Sequence, residues 1–282
     1  PIEVCSGEAL GVSFNASSSI AAATYNIIGF DSGVLTEVFG GPGIETGLFP
    51  ADLSDDSFIN ETEASVDVIY TVEPVSAAGC AGEPFEVIVT VNPSPLFDDG
   101  IETVNSGSPI GVELDNYINV STTRTPAATY RIKDIDSPSL AAGTNNKKEQ
   151  DVIASNGIFN DTFTNVSSSL ESVIYTLVPI SAEGCEGEDF TVTVRIRPGP
   201  VVDDQGPIDV CSDEESEIAL IGSTNGVFED KYLIKDINSI GLTATPGVTN
   251  PNTKKDDVIA SNGVLYNAYT NNSNSPLNVV YT

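Results

Sequence analysis

The sequence predicts an all-β chain built as a tandem row of sandwich domains, and three observations carry that expectation. A long segment recurs almost unchanged, apolar and polar residues alternate with period two inside it, and Gly, Pro, Asn and Asp punctuate the short runs between. Residues 67–80 return at 172–185 and begin again with Val279, Val280, Tyr281 and Thr282; the aligned Tyr70, Tyr175 and Tyr281 stand 105 and then 106 residues apart. That period is too long for a solenoid repeat and suits one autonomous domain. The expected domains are 1–95, 96–200 and 201–282, with the last strands of the third missing.

The last two strands of each repeat are the clearest. Val68, Tyr70 and Val72 alternate with Ile69, Thr71 and Glu73; after a Gly-rich turn, Phe85, Val87, Val89 and Val91 alternate with Glu86, Ile88 and Thr90. Repeat 2 copies this with Phe190, Val192, Val194 and Ile196 inward and Thr191, Thr193, Arg195 and Arg197 outward. Such alternation describes half-buried antiparallel strands. With weak helical signals and about 100 residues per unit, an Ig-like β-sandwich is the expected fold. Two aligned tyrosine sets (Tyr25, Tyr130, Tyr232 and Tyr70, Tyr175, Tyr281) and the set Phe58, Phe163, Tyr269 are read as core aromatics. The hydroxyls of the second set are expected on a nearby backbone carbonyl, as in a tyrosine corner.

Pro93 and Pro95, then Pro198 and Pro200, end the last strand of each full repeat, because proline removes ladder donors. No Gly/Ser spacer follows, so the linkers should be short and semi-rigid and the array a rod, with each domain roughly 35 Å long at about 3.3 Å per strand residue.

The balance of 41 acidic and 11 basic residues gives a net charge of −30, and repeat 1 has no Lys or Arg at all. Such a field repels phosphate backbones and anionic lipid, which excludes nucleic acid and direct membrane insertion as partners. At 40% hydrophobic residues in a regular pattern, the chain is folded. No run is long enough to form a membrane helix, and the start at Pro1 reads as an interior piece of a longer protein.

The four cysteines fall in two contexts. Cys5 and Cys211 lie in Val-Cys-Ser at domain starts, and Cys80 and Cys185 in Gly-Cys-x-Gly at the last hairpin turn. Placing that turn and the Val-Cys-Ser segment at the same pole predicts a Cys5–Cys80 disulfide, an oxidising extracellular compartment and a Cys185 without a partner in its own domain. Cys185 and Cys211 are expected a domain length apart and unbridged, with Cys211 pairing beyond residue 282.

No histidine exists, which removes Ser-His-Asp and Cys-His catalysis and, with no Cys-x-x-Cys, a zinc site. The chain is therefore read as non-enzymatic, with no cofactor except possible calcium. Asp98, Asp99, Asp203 and Asp204 recur just past the Pro-x-Pro junctions, where hard oxygen ligands would stiffen a joint; the competing reading is an Asp-Gly-type turn. Asn-x-Ser/Thr occurs at Asn15, Asn60, Asn119, Asn160, Asn165 and Asn271. Ser57 and Thr162, each after Asp and before Phe, are candidate O-glycosylation sites, against a polar strand entry. The loops at 144–151 and 250–257 carry Lys147, Lys148, Lys254 and Lys255, the only clustered bases, and are the candidate glycan- or protein-binding surface.

The order Val-Cys-Ser-Gly-Glu, then Val-Ile-Tyr-Thr-Val-x-Pro-Val-Ser-Ala-x-Gly-Cys, then alternating strand and Pro-x-Pro, resembles the PKD-like repeats of giant Bacteroidetes surface adhesins of the SprB gliding-motility type, which type IX secretion exports. The resemblance covers essentially the whole chain and is sharpest at 67–95 and 172–200. It implies a cell-surface filament that adheres to a solid surface or polysaccharide through the full-length protein, with neighbouring repeats as the immediate partners. Asn105, where the pattern has its first Cys, is the departure.

Overall fold

The computed structural model describes residues 2–14, 21–40, 43–119, 125–248, 256–260 and 263–282. Repeat 1 supplies β1 (Ile2–Cys5), β2 (Ala22–Asp31), β3 (Thr36–Phe39), β4 (Ser57–Ile59), β5 (Val66–Ser76) and β6 (Phe85–Asn92). One sheet has the order β1-β6-β5-β2 and a second pairs β3 with β4. The alternation of β5 and β6 does what the sequence indicated: Val68, Tyr70, Val72, Val89 and Val91 point into a core closed by Leu10, Val12, Tyr25, Ile27, Leu53 and Phe58.

Repeat 2 supplies β7 (Gly100–Asn105), β8 (Thr129–Asp136), β9 (Ala141–Ala142), β10 (Val152–Ile153), β11 (Phe163–Thr164), β12 (Glu171–Ile180) and β13 (Phe190–Arg197). Its main sheet runs β10-β8-β12-β13-β7 and its small sheet β11-β9. Tyr130, Tyr175, Phe163, Leu177, Phe190, Val192, Val194 and Ile196 form the largest core among the described residues.

The chain divides into two compact units, Pro1–Phe163 with Ser172–Ile196, and Thr164–Glu171 with Arg197–Thr282. The second unit carries β14 (Glu215–Ala219), β15 (Lys231–Leu233), β16 (Ile237–Asn238), β17 (Thr243–Ala244), β18 (Val258–Ala260), β19 (Val264–Thr270) and β20 (Val280–Tyr281). They pair as β14-β19-β17, β15-β18 and β16-β20 around the small cluster Ile234, Ile259 and Leu265. Ile218, Leu220, Tyr232, Ile237 and Tyr281 pack against that cluster.

One pairing overturns an expectation. β1 runs parallel to β6, with Ile2 opposite Val89 and Cys5 opposite Asn92. Cys5 therefore lies at the end of β6, while Cys80 lies in the turn before β6 begins, about 23 Å away along the strand. A Cys5–Cys80 bond cannot form, and Cys80 is a free, exposed thiol. The observed bond is Cys5–Cys185. The Val-Cys-Ser segment starts its domain in sequence, but a parallel edge strand carries it to the exit pole.

Candidate functional site

The joint between repeats 1 and 2 is the most elaborately built place in the first unit. On the repeat 1 side, Cys5 opens a tight turn: the Glu8 N–H donates to the Cys5 carbonyl at 3.0 Å, and Gly7 takes φ +82°, which a side chain would resist. The Asn60 N–H donates to Ser6 Oγ at 2.9 Å and anchors that turn. On the repeat 2 side, Cys185 sits in a turn where its carbonyl accepts from the Ser181 N–H at 2.9 Å and its own N–H donates to Ser181 Oγ at 3.2 Å. The Cα atoms of Cys5 and Cys185 are 5.5 Å apart, within bridging range, and Cys185 is fully buried.

Three further contacts close the joint. A Cβ on Gly187 would come within 1.9 Å of the Pro95 carbonyl oxygen, so the linker backbone crosses where only glycine leaves room. Phe97, two residues on, stacks on Phe190 at 5.0 Å and meets Tyr130 edge-on at 5.4 Å. Thr125 Oγ1 donates to the Glu63 carbonyl at 2.9 Å. The covering aromatic decides the fate of an aligned pair: Phe190 is 2% exposed, whereas Phe85, expected inward, is 41% exposed.

Beside the joint lies a loop the glycosylation motif had disguised. Asn60 Nδ2 donates to the Val91 and Ala64 carbonyls at 2.8 and 2.9 Å, while its Oδ1 accepts from the Thr62 N–H and hydroxyl at 2.9 and 2.7 Å. Asn165 with Ser167 and Ser169, and Asn271 with Ser273 and Ser275, repeat the side-chain loop. Asn60 and Asn165 are buried, so in this fold the motif ties a turn together. Asn15 lies outside the described residues.

In the set expected to reach a backbone carbonyl, the Tyr70 and Tyr175 hydroxyls find carboxylates instead. Tyr70 donates to Asp56 Oδ2 at 2.8 Å and Tyr175 to Asp161 Oδ2 at 2.7 Å; in the third repeat Asn267 Nδ2 donates to Tyr281 Oη at 2.6 Å. Tyr130 donates to Asp115 Oδ1 at 2.5 Å. Burial raises the Asp56 carboxyl to about 6 despite the Tyr70 hydrogen bond, and repulsion from Asp55, Glu45 and Glu37 adds to it. Asp161 is raised by burial in the same way and also accepts the Lys147 N–H, at 3.1 and 3.2 Å. An acid or amide stands 14 residues before Tyr70, Tyr175 and Tyr281, a spacing that becomes a contact only in the folded chain.

The candidate metal ligands separate. Asp98 Oδ1 accepts from Asn119 Nδ2 at 2.8 Å, Asp99 Oδ1 from the Thr191 N–H at 2.6 Å, and Asp203 and Asp204 are exposed. Among the described residues no three acid, Cys or His side chains are placed together for a metal ion. Ser57 is 6% exposed within β4, so a sugar there would require β4 to open; Thr162 is half-buried and gives its N–H to Asn146 Oδ1 at 2.9 Å. Lys147 and Lys148 line an open cleft of about 370 Å³ with Ile135, Asn146, Glu149 and Phe163. Lys254 and Lys255 lie outside the described residues.

These features define a class, a tandem β-sandwich repeat with one disulfide-closed joint, formed in an oxidising compartment and fitted for a secreted or extracellular setting. The PKD-like domain family model matches residues 2–95 and 139–200, more than half of the chain, and the chain belongs to that family. No curated protein matches it. Among solved structures, the FN1–FN3 domains of chicken CNTN1 are similar at 9% identity and a TM-score of 0.22, over 98% of this chain and 90% of that one. Chicken VE-cadherin EC1-2 is similar at 16% identity and a TM-score of 0.23, over 70% and 96%. A Bacteroides ovatus protein of a mixed-linkage glucan utilization locus, SGBP-B, solved with a mixed-linkage heptasaccharide, is similar at 15% identity and a TM-score of 0.16, over 98% and 58%.

Proposed function

We propose that this chain is a stalk segment of a large cell-surface adhesin, a structural spacer without catalytic work, exported to the outer surface and used in surface adhesion and gliding. The observation that carries it is the Cys5–Cys185 bond, a covalent tie between consecutive repeats rather than within one. Such a bond restricts the angle between domains, which a spacer needs and an enzyme fold does not. The SprB-type resemblance supplies the gliding and type IX export, and many weak contacts along an array would supply adhesion by avidity. Small-angle scattering of the full chain, oxidised and then reduced, tests this. An extended profile that becomes more flexible on reduction is the expected result; a compact particle in both states would sink it.

A second reading is favoured by the cleft beside Lys147 and Lys148, which would let repeat 2 recognise a glycan or a protein partner, an acidic polysaccharide being the natural probe. Salt-sensitive retention on an anionic glycan column, lost in Lys147→Ala/Lys148→Ala, would move the assignment there. Retention unchanged by the double substitution would dispose of it.

A further inference from the structure

We propose that Asn225 and Gly226 form a self-modification site, a one-way deamidation latch. While the hydrogen-bonded clasp around Asn225 is closed, its side chain is kept from cyclising. Once the clasp opens, Asn225 converts to aspartate or isoaspartate, and the clasp cannot close again.

Asn225 stands where three stretches of the second unit meet: the loop after Asn165, the linker at 199–201 and the turn at 223–227. Its Nδ2 donates to the Val166, Ser167 and Gly199 carbonyls at 3.2, 3.0 and 2.8 Å. Its Oδ1 accepts from Ser223 Oγ at 2.6 Å and from the Val201 and Val227 N–H groups at 3.3 Å each. The Thr224 N–H adds a bond to the Val201 carbonyl at 2.7 Å, and the Val201 N–H reaches Ser223 Oγ at 3.2 Å. Six partners saturate an amide that has two hydrogens and one acceptor oxygen. Only an amide fits this place, since it must give at one end and accept at the other. A carboxylate would set an oxygen with no hydrogen against three carbonyl oxygens, leaving all three short of a donor.

An Asn-Gly pair by itself is a turn, and Gly226 at φ +78° serves that turn. The state of the reacting atoms separates this pair from an ordinary one. The nucleophile is free: among the described residues the Gly226 N–H donates to nothing, and no atom lies within 4 Å of where a Cβ on Gly226 would stand. The leaving group is held, because Nδ2 departs as ammonia and its three hydrogen bonds are lost on the way. Asn156 and Gly157 show the reverse. Asn156 is exposed, while the Gly157 N–H donates to the Ala154 carbonyl at 2.9 Å and a Cβ there would lie 2.4 Å from Ile153. Asn262, before Gly263, lies outside the described residues.

The chemistry needs only water. The Gly226 nitrogen adds to Asn225 Cγ, the Cγ–Nδ2 bond breaks, and the nitrogen's proton leaves with Nδ2 as ammonia. Water then opens the succinimide. Cleavage of the new Cγ–N bond gives aspartate, and cleavage of the original peptide bond gives isoaspartate, which routes the backbone through Cγ. One water is consumed, one ammonia is released, and nothing is oxidised or reduced.

The full chain is held at neutral pH, folded and in urea, and the peptide containing Asn225 is followed by mass spectrometry with isoaspartate resolved by chromatography. Asn225 should convert on the order of tenfold more slowly in the folded chain, as when two ordinary hydrogen bonds must break first. Ser223→Ala, which removes the donor at 2.6 Å and leaves the Asn-Gly pair intact, should speed conversion severalfold in the folded chain. After dilution from urea, unmodified chains should regain resistance to proteolysis within 198–201 and modified chains should not; Asn225→Asp should behave as the modified chain. Ser223→Ala decides the point even where Asn225→Asp fails to fold. Equal rates folded and unfolded, a rate indifferent to Ser223→Ala, or full recovery of resistance by the modified chain would each overturn the proposal. The inference rests on the clasp and not on the stalk reading, which scattering tests separately.

Discussion

Asp56 and Asn267 are the same position in two chemistries, and the difference has a measurable consequence. Each faces the tyrosine 14 residues on, Asp56 accepting from Tyr70 and Asn267 donating to Tyr281. Asp56 is raised from 3.8 to about 6 in the folded chain, so its proton is bound more tightly folded than unfolded. Its favourable contribution is full below pH 3.8 and is lost as pH rises through about 6. The full swing is roughly 3 kcal/mol. Asp56→Asn should therefore raise the melting temperature at pH 8 and flatten its dependence between pH 4 and 6; urea midpoints at both ends check this. Tyr175→Phe should cost about 1–3 kcal/mol in urea, since it leaves a buried carboxylate short of a donor. The tyrosines could be read as core from their recurrence alone. Their partners could not, because a 14-residue separation becomes a contact only when the two sheets close.

At the scale of the element, period two was enough to orient β5, β6, β12 and β13, whose apolar faces lie in the cores as read. Phe85 and Phe190 show the limit. Both continue the inward alternation at the first position of their strand, yet Phe190 is buried under Phe97, while Phe85 meets Phe14 edge-on at 6.1 Å and stays 41% exposed. Alternation names a face; it does not say how far the opposite layer extends. The two hairpin-turn glycines, Gly82 and Gly187, give a paired test. Gly187→Ala puts a methyl into the Pro95 carbonyl and should cost about 1–3 kcal/mol of overpacking and slow Cys5–Cys185 closure. Gly82→Ala meets only a proline ring at 3.1 Å and should change stability by well under 1 kcal/mol. Denaturation and disulfide mapping of the two variants separate the outcomes.

Across the whole molecule, the disulfide joins residues 180 apart in sequence. On the chain-entropy picture a loop of that length is worth about 5 kcal/mol against the fully unfolded chain. Each repeat has its own core, so the larger effect of Cys5→Ser should be on the joint: proteolysis within 93–97 should accelerate severalfold while the β-sheet circular dichroism stays unchanged. Chelation should leave the scattering profile unchanged, because Asp98 and Asp99 already accept hydrogen bonds from Asn119 and the Thr191 N–H.

The sequence by itself determined the repeat, the β-sandwich class, the inward faces of the long strands and the acidity of the chain. These are properties of local pattern and composition, legible without knowing what touches what. Only the tertiary structure decided which cysteines meet. That depended on β1 lying parallel to β6, a choice of strand direction that leaves no trace in hydrophobic alternation, which reads the same in either sense along a strand. The same direction carries Val-Cys-Ser to the exit pole, and so turns an apparent staple within one domain into a bond between two.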